Sequence, residues 1–194
     1  LSDIAYSAGA SRIQVDRGEL PETTLAANAV LVLTASQPQS SNLYQSNWAK
    51  LEATGLFSVA AVFEVRDGAS DQLIARTSAP AGPPLQSFLV PWQRNRSTSL
   101  DVAFAIVNSG RTPQQVTATW RDSNGSVRGV RRLELGPAMQ MARFLGELFN
   151  SAVEEPGATY GSVRFEGEPG AQLGILALSY EGAVQTSVPV EPVQ

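Results

Sequence analysis

Val116-Thr117-Ala118-Thr119-Trp120-Arg121-Asp122-Ser123-Asn124-Gly125-Ser126-Val127 is the stretch whose reading decides the fold. Val116, Ala118 and Trp120 alternate with Thr117, Thr119 and Arg121. That period of two sets one face of a strand on a core and the other in water. Asn124-Gly125 then supplies the positive φ angles of a tight hairpin turn at little steric cost. Residues 127–135 follow as the return strand. The run predicts a β-hairpin.

The same grammar extends in both directions. Asp67-Gly68 joins 57–66 to 72–77 as a second hairpin. Further short apolar segments lie at 12–16, 24–34, 48–53, 85–92, 100–108, 160–166, 172–180 and 184–190, with turn-rich punctuation between them. Such spacing is the signature of an all-β sandwich or barrel. Phe88, Val90 and Trp92 share a face, so Trp92 and Trp120 are expected in the core. Residues 173–178 are apolar on both faces, as in a central strand covered on both sides. One segment departs from the pattern. Met141, Phe144, Leu145, Leu148 and Phe149 recur at helical spacing after the Gly136-Pro137 turn, which predicts a short capping helix near 138–149.

Composition removes whole classes of function. The chain has 194 residues, 43% hydrophobic and 16% charged, with a net charge of −4 and neither cysteine nor histidine. Zinc fingers, thiol chemistry, disulfides, Ser-His-Asp triads and His-ligated metals are therefore excluded. No cationic field draws the chain to nucleic acid. No apolar run approaches the roughly 18 residues of a spanning helix, so no membrane insertion is expected. No cofactor is expected either. The chain opens at Leu1 without an apolar leader, which fits a removed leader or a boundary within a longer protein.

An internal repeat runs through the sequence at an offset of about 110 residues, a plausible module size for a β-sandwich. Residues 47–53 match 161–167 in alternation, and 59–68 and 173–182 follow them as apolar strands ending acid-Gly. The expected architecture is two tandem immunoglobulin-like or jelly-roll-type β-sandwich units, residues 1–98 and 99–194. The first copy lacks about two strands, a gap that 85–92 or a neighbouring chain would fill.

Ala103-Phe104-Ala105-Ile106-Val107-Asn108, the run 116–125, Leu133-Glu134-Leu135-Gly136-Pro137, Arg143 to Phe149 and Tyr160-Gly161-Ser162-Val163 together resemble uncharacterised tandem β-sandwich repeat modules of large secreted bacterial proteins. Thr186-Ser187-Val188-Pro189-Val190 is similar to the ending of those modules. Asn108-Ser109 departs from their Asn-Pro, and 153–158 inserts an acidic loop. The resemblance implies an extracellular or cell-surface repeat protein and transfers no catalytic or binding residue.

Chemical constellations are few. Asp67 to Asp71 and Asp122-Ser123-Asn124-Gly125 offer oxygen ligands, but neither fits a calcium loop and a turn needs the same residues. Arg121, Arg128, Arg131 and Arg132 cluster on one hairpin, where an anionic polymer or plain solvent would meet them. Asn95-Arg96-Ser97 fits a glycosylation sequon. Trp48 with Tyr44 would stack on a sugar ring in a carbohydrate-binding module. Ile13 and Val15, in the segment 12–16, are the candidates for self-association. The expected function is a non-catalytic structural or adhesive protein that associates with itself or with neighbouring modules, in a fibre built by strand addition. Polysaccharide binding is the alternative.

Overall fold

A computed structural model describes residues 2–8, 23–25, 49–53, 55–56, 58–67, 69–70, 72–149, 158–182 and 184–193. They form antiparallel β-structure with one helical turn. The chain divides into two compact units, Leu1–Val59 and Ala60–Gln194.

In the first unit, β1 (Ser2–Ala8) runs between β2 (Thr23–Leu25) and β3 (Ala49–Ala53), antiparallel to both. Ser2 lies opposite Leu25 and Ile4 opposite Ala53. The expected strand at 12–16 lies outside the described residues, as do residues 26–34 of the second.

The second unit opens with the hairpin of β4 (Ala60–Arg66) and β5 (Leu73–Pro80). Its remaining strands are β6 (Ser87–Asn95), β7 (Leu100–Asn108), β8 (Gln114–Asp122), β9 (Val127–Leu135), β10 (Gln140–Phe144), β11 (Ala158–Gly167), β12 (Leu173–Glu181), β13 (Val184–Val188) and β14 (Glu191–Pro192). They form one nine-stranded sheet in the order β13-β12-β7-β6-β11-β8-β9, with β10 on the other edge of β7 and β14 on β6. Asn95 opposite Leu100 is the single pairing of β6 with β7. The sheet is therefore two halves joined at a corner. Phe104 of β7 meets Phe165 of β11 with ring centroids 4.8 Å apart, so the halves face each other.

Sequence alternation built this core. Phe88, Val90 and Trp92 of β6, Val116, Ala118 and Trp120 of β8, and Val163 and Phe165 of β11 are all buried. From the other half come Val102, Phe104 and Ile106, with Leu173 and Ala177 on β12. Each fully buried large side chain stabilises the fold by about 1.5–3 kcal/mol over exposure. Trp92 and Trp120 meet edge to face at 5.0 Å, with Phe149 at 5.9 Å from each. The register sets Gly161 opposite both Trp92 and Asp122. A Cβ at Gly161 would fall inside contact distance of the Arg121 carbonyl oxygen, so only glycine lets β11 close on β8 beside the irregularity at Trp120/Arg121.

Strand β6 pairs with β11 along its length, within the second compact unit. One expectation is corrected. The helix near 138–149 is mostly strand: Gln140–Phe144 pairs with β7, and only Leu145–Leu148 (α1) is helical. Met, Ala and Arg favour a helix in isolation, yet β7 offered an open edge. Pairing with it, Met141 opposite Ile106, outweighs a propensity worth tenths of a kcal/mol per residue. Of the expected plug of Phe144, Leu148 and Phe149, the last two are buried and Phe144 is half-buried, with Leu145 buried beside them.

Both hairpins form at the turns the sequence marks. Gly125 has φ 81° and its amide donates to the Asp122 carbonyl at 2.9 Å. Asp67 donates its amide to the Gln72 carbonyl at 2.9 Å. Asn108 is fully buried, and its Nδ2 donates to the Thr112, Leu135 and Gly136 carbonyls while Oδ1 accepts from the Gly110 amide.

Candidate functional site

A strand at the end of a sheet leaves a row of N–H and C=O groups without ladder partners, a ready template for another chain. Among the described residues, β9 pairs with β8 alone and β4 with β5 alone. These two edges also carry large apolar side chains in water. Val127 and Val130 on β9 are 50% and 48% exposed, and Val62 on β4 is 59% exposed. Ile74 on β5 and Val184 on β13 are exposed as well. Alternation accounts for two of them, since Val130 and Ile74 fall on the solvent side of strands whose opposite sides face inward; Val127 has the parity of the buried Leu133 and Leu135 but lies beyond the irregularity at Trp120/Arg121.

Three of the four hairpin arginines, Arg121, Arg128 and Arg131, are engaged within the chain, and Arg132 is exposed. Arg128 Nε donates to Asp122 Oδ2 at 2.7 Å, and Arg121 Nη1 donates to the Gly125 carbonyl at 2.9 Å. Arg131 lies over the Phe149 ring, 5.9 Å from its centroid. Bonding to Arg128 holds the Asp122 carboxyl below the usual aspartate range, with the Ser126 and Asn124 amides adding to it. Asp67 is lowered in the same way by the Ser70 hydroxyl and the Ser70 and Ala69 amides. Their carboxylates are thus committed to turns. No group of three or more acidic residues is placed to hold a metal among the described residues.

The β6–β7 corner forms an open cleft of about 420 Å³, lined by Arg94, Arg96, Asp101, Phe144 and Glu147 among others. Asp101 Oδ1 accepts from Trp92 Nε1 at 2.9 Å and from the Val102 amide at 2.8 Å. Arg94 Nε lies 3.6 Å from Asp101 Oδ2, and Arg94 Nη1 is buried without a partner. Burial pushes the Asp101 carboxyl above its ordinary range; the Trp92, Val102, Arg94 and Gly146 groups pull it back without offsetting it. Gly146 of α1 rests directly on this pair, since a Cβ there would strike Asp101 Oδ2 and sit 2.8 Å from Arg94 Cζ. The cluster therefore clamps the helical turn to the corner. The sequon asparagine is engaged nearby: Asn95 Oδ1 accepts from the Ser97 amide and hydroxyl.

Trp48, Tyr44, Ile13 and Val15 lie outside the described residues. The clamp of Trp92, Arg94 and Asp101 was not visible in the sequence, because a corner rather than a motif brings these residues together. The strand at 127–135 was visible, but not that it forms an open edge. No protein-family model, curated protein or solved structure matches the chain.

Proposed function

We propose that this chain is a non-catalytic structural or adhesive protein, extracellular or at a cell surface, that associates with itself by strand addition. The observation that carries the reading is the open edge of β9, with Val127 and Val130 half-exposed and no ladder partner among the described residues. Edges of this kind recruit strands from other chains unless they are covered or guarded. The arginines on β9 guard it in part, which favours a chosen partner over indiscriminate aggregation. We further propose that the face-to-face halves of the second unit form an immunoglobulin-like or jelly-roll sandwich, with the first unit a shorter tandem relative. The resemblance to secreted bacterial repeat modules supports the same setting.

Sedimentation velocity over a wide concentration range tests the reading. Assembly is expected to grow with concentration, and Val127→Lys with Val130→Lys is expected to suppress it while urea unfolding stays unchanged. A strictly monomeric chain at millimolar concentration overturns the proposal.

A further inference from the structure

The β4–β5 hairpin is set differently from every other strand of the second unit. Among the described residues, no ladder pairing joins it to the nine-stranded sheet. Its main contact with that sheet is the flank of β5 lying beside β13. One face turns inward through Ala79, which is buried, and through Phe63, Ala75 and Thr77, which are half-buried. The opposite face leaves Val62 and Ile74 more than half exposed. A two-stranded hairpin in water is marginal without a third element to cover it.

The link to the body is short and stiff. The arm ends at Pro80, and the body begins at Leu85, whose amide and carbonyl exchange hydrogen bonds with Leu173 at 2.9 and 3.0 Å. Between them lie Ala81-Gly82-Pro83-Pro84, all exposed and without regular structure. Each proline fixes its own φ and pushes the residue before it to extended backbone. A Cβ at Gly82 would meet nothing, so packing does not hold this link in place. An extended link that packing does not fix leaves the arm free to swing outward once its contact with β13 is released.

We propose that the β4–β5 hairpin is an exchange arm, which pivots at residues 81–84 and seats β5 against β13 of a second copy of this chain. The occupant follows from continuity with a contact already present. Every copy displays the same β13 flank, so the arm needs no new complementarity to leave its own body for a neighbour's. Reciprocal exchange closes a two-fold dimer, and one-way exchange runs on as a chain of molecules. This rests on the self-association proposed above and names the element that carries it.

The test varies the link. Inserting ten Gly/Ser residues between Gly82 and Pro83 lets the arm reach its own β13 freely, and is expected to weaken dimers about tenfold or more in sedimentation velocity. Deleting Gly82 and Pro83 denies that return and is expected to strengthen them by a similar factor. Urea unfolding of each variant reports whether the core is intact, and the Val127→Lys, Val130→Lys chain is run beside them. Dimers that follow link length and ignore the lysines establish arm exchange. Assembly abolished by the lysines but indifferent to link length overturns arm exchange and leaves strand addition at β9 standing. Assembly indifferent to both overturns each route, and no assembly in any chain overturns self-association itself.

Discussion

The β4–β5 and β8–β9 hairpins of the second unit share their turn chemistry and differ in their packing. In both, an aspartate at the turn collects backbone amides: Asp122 Oδ1 accepts from Asn124 and Ser126, and Asp67 Oδ1 from Ala69 and Ser70. Yet β8–β9 extends a sheet whose inward side holds Val116, Ala118, Trp120, Leu133 and Leu135, all buried. The β4–β5 pair buries only Ala79 among its described side chains. A turn decides that two strands pair. Whether the pair joins a core depends on the bulk its inner face carries, and small residues such as Ala61, Ala75 and Thr77 carry too little.

The sharpest way to break this comparison is to remove an aromatic ring from each hairpin. Trp120→Ala is expected to cost about 3–5 kcal/mol in urea unfolding, since it empties a space shared with Trp92 and Phe149. Phe63→Ala, from a half-buried ring, is expected to cost about 1 kcal/mol. Equal losses would mean that the arm belongs to the core. Next in size comes Gly161→Ala, which forces a Cβ onto the Arg121 carbonyl and is expected to cost about 1–3 kcal/mol. Amide exchange along β8 and β11 would locate the damage.

Titration separates the carboxylates by sign. The native Asp122 and Asp67 carboxyls lie below the ordinary range, so the unfolded chain takes up their protons first as pH falls. The stability they contribute is complete above about pH 4 and is lost as pH falls through their lowered native values. Asp101 runs the other way. Its native carboxyl is raised by burial, so its contribution is complete below the ordinary range and is lost as pH rises through the raised value. Thermal unfolding between about pH 3 and pH 6 is expected to show Asp122→Asn flattening the acid limb and Asp101→Asn flattening the opposite slope. The smallest effect belongs to Ile74→Ser on the outer face of the arm, within about 0.5 kcal/mol in the same unfolding measurement.

Much of the second unit was legible in the sequence because its strands obey alternation. The strands at 100–108 and 127–135 fall where the pattern placed them, and both hairpins close at their Asp/Asn-Gly turns. Strand β10 was not legible. Its Met, Ala and Arg describe a helix locally, and the edge of β7 that claims them is more than thirty residues away in sequence. β1 escaped because Ser2–Ala8 mixes polar and apolar residues without strict alternation. The partner of β6 was not legible, because β6 reads as an ordinary strand and nothing local says which sheet it joins. Of the candidate site, the β8–β9 hairpin was legible, whereas its exposed valines were not, and the Arg94–Asp101 clamp depends on a corner that no local pattern encodes.

The paired indoles have an optical consequence. Trp92 stands on β6 and Trp120 on β8, the two strands that flank β11, and their rings touch only when β11 is seated between those strands. Transition dipoles this close couple as an exciton pair, so the far-ultraviolet dichroism of the folded chain should carry a couplet of aromatic origin. The molecule thereby holds its own gauge of whether its central strand is in place, readable without any added label.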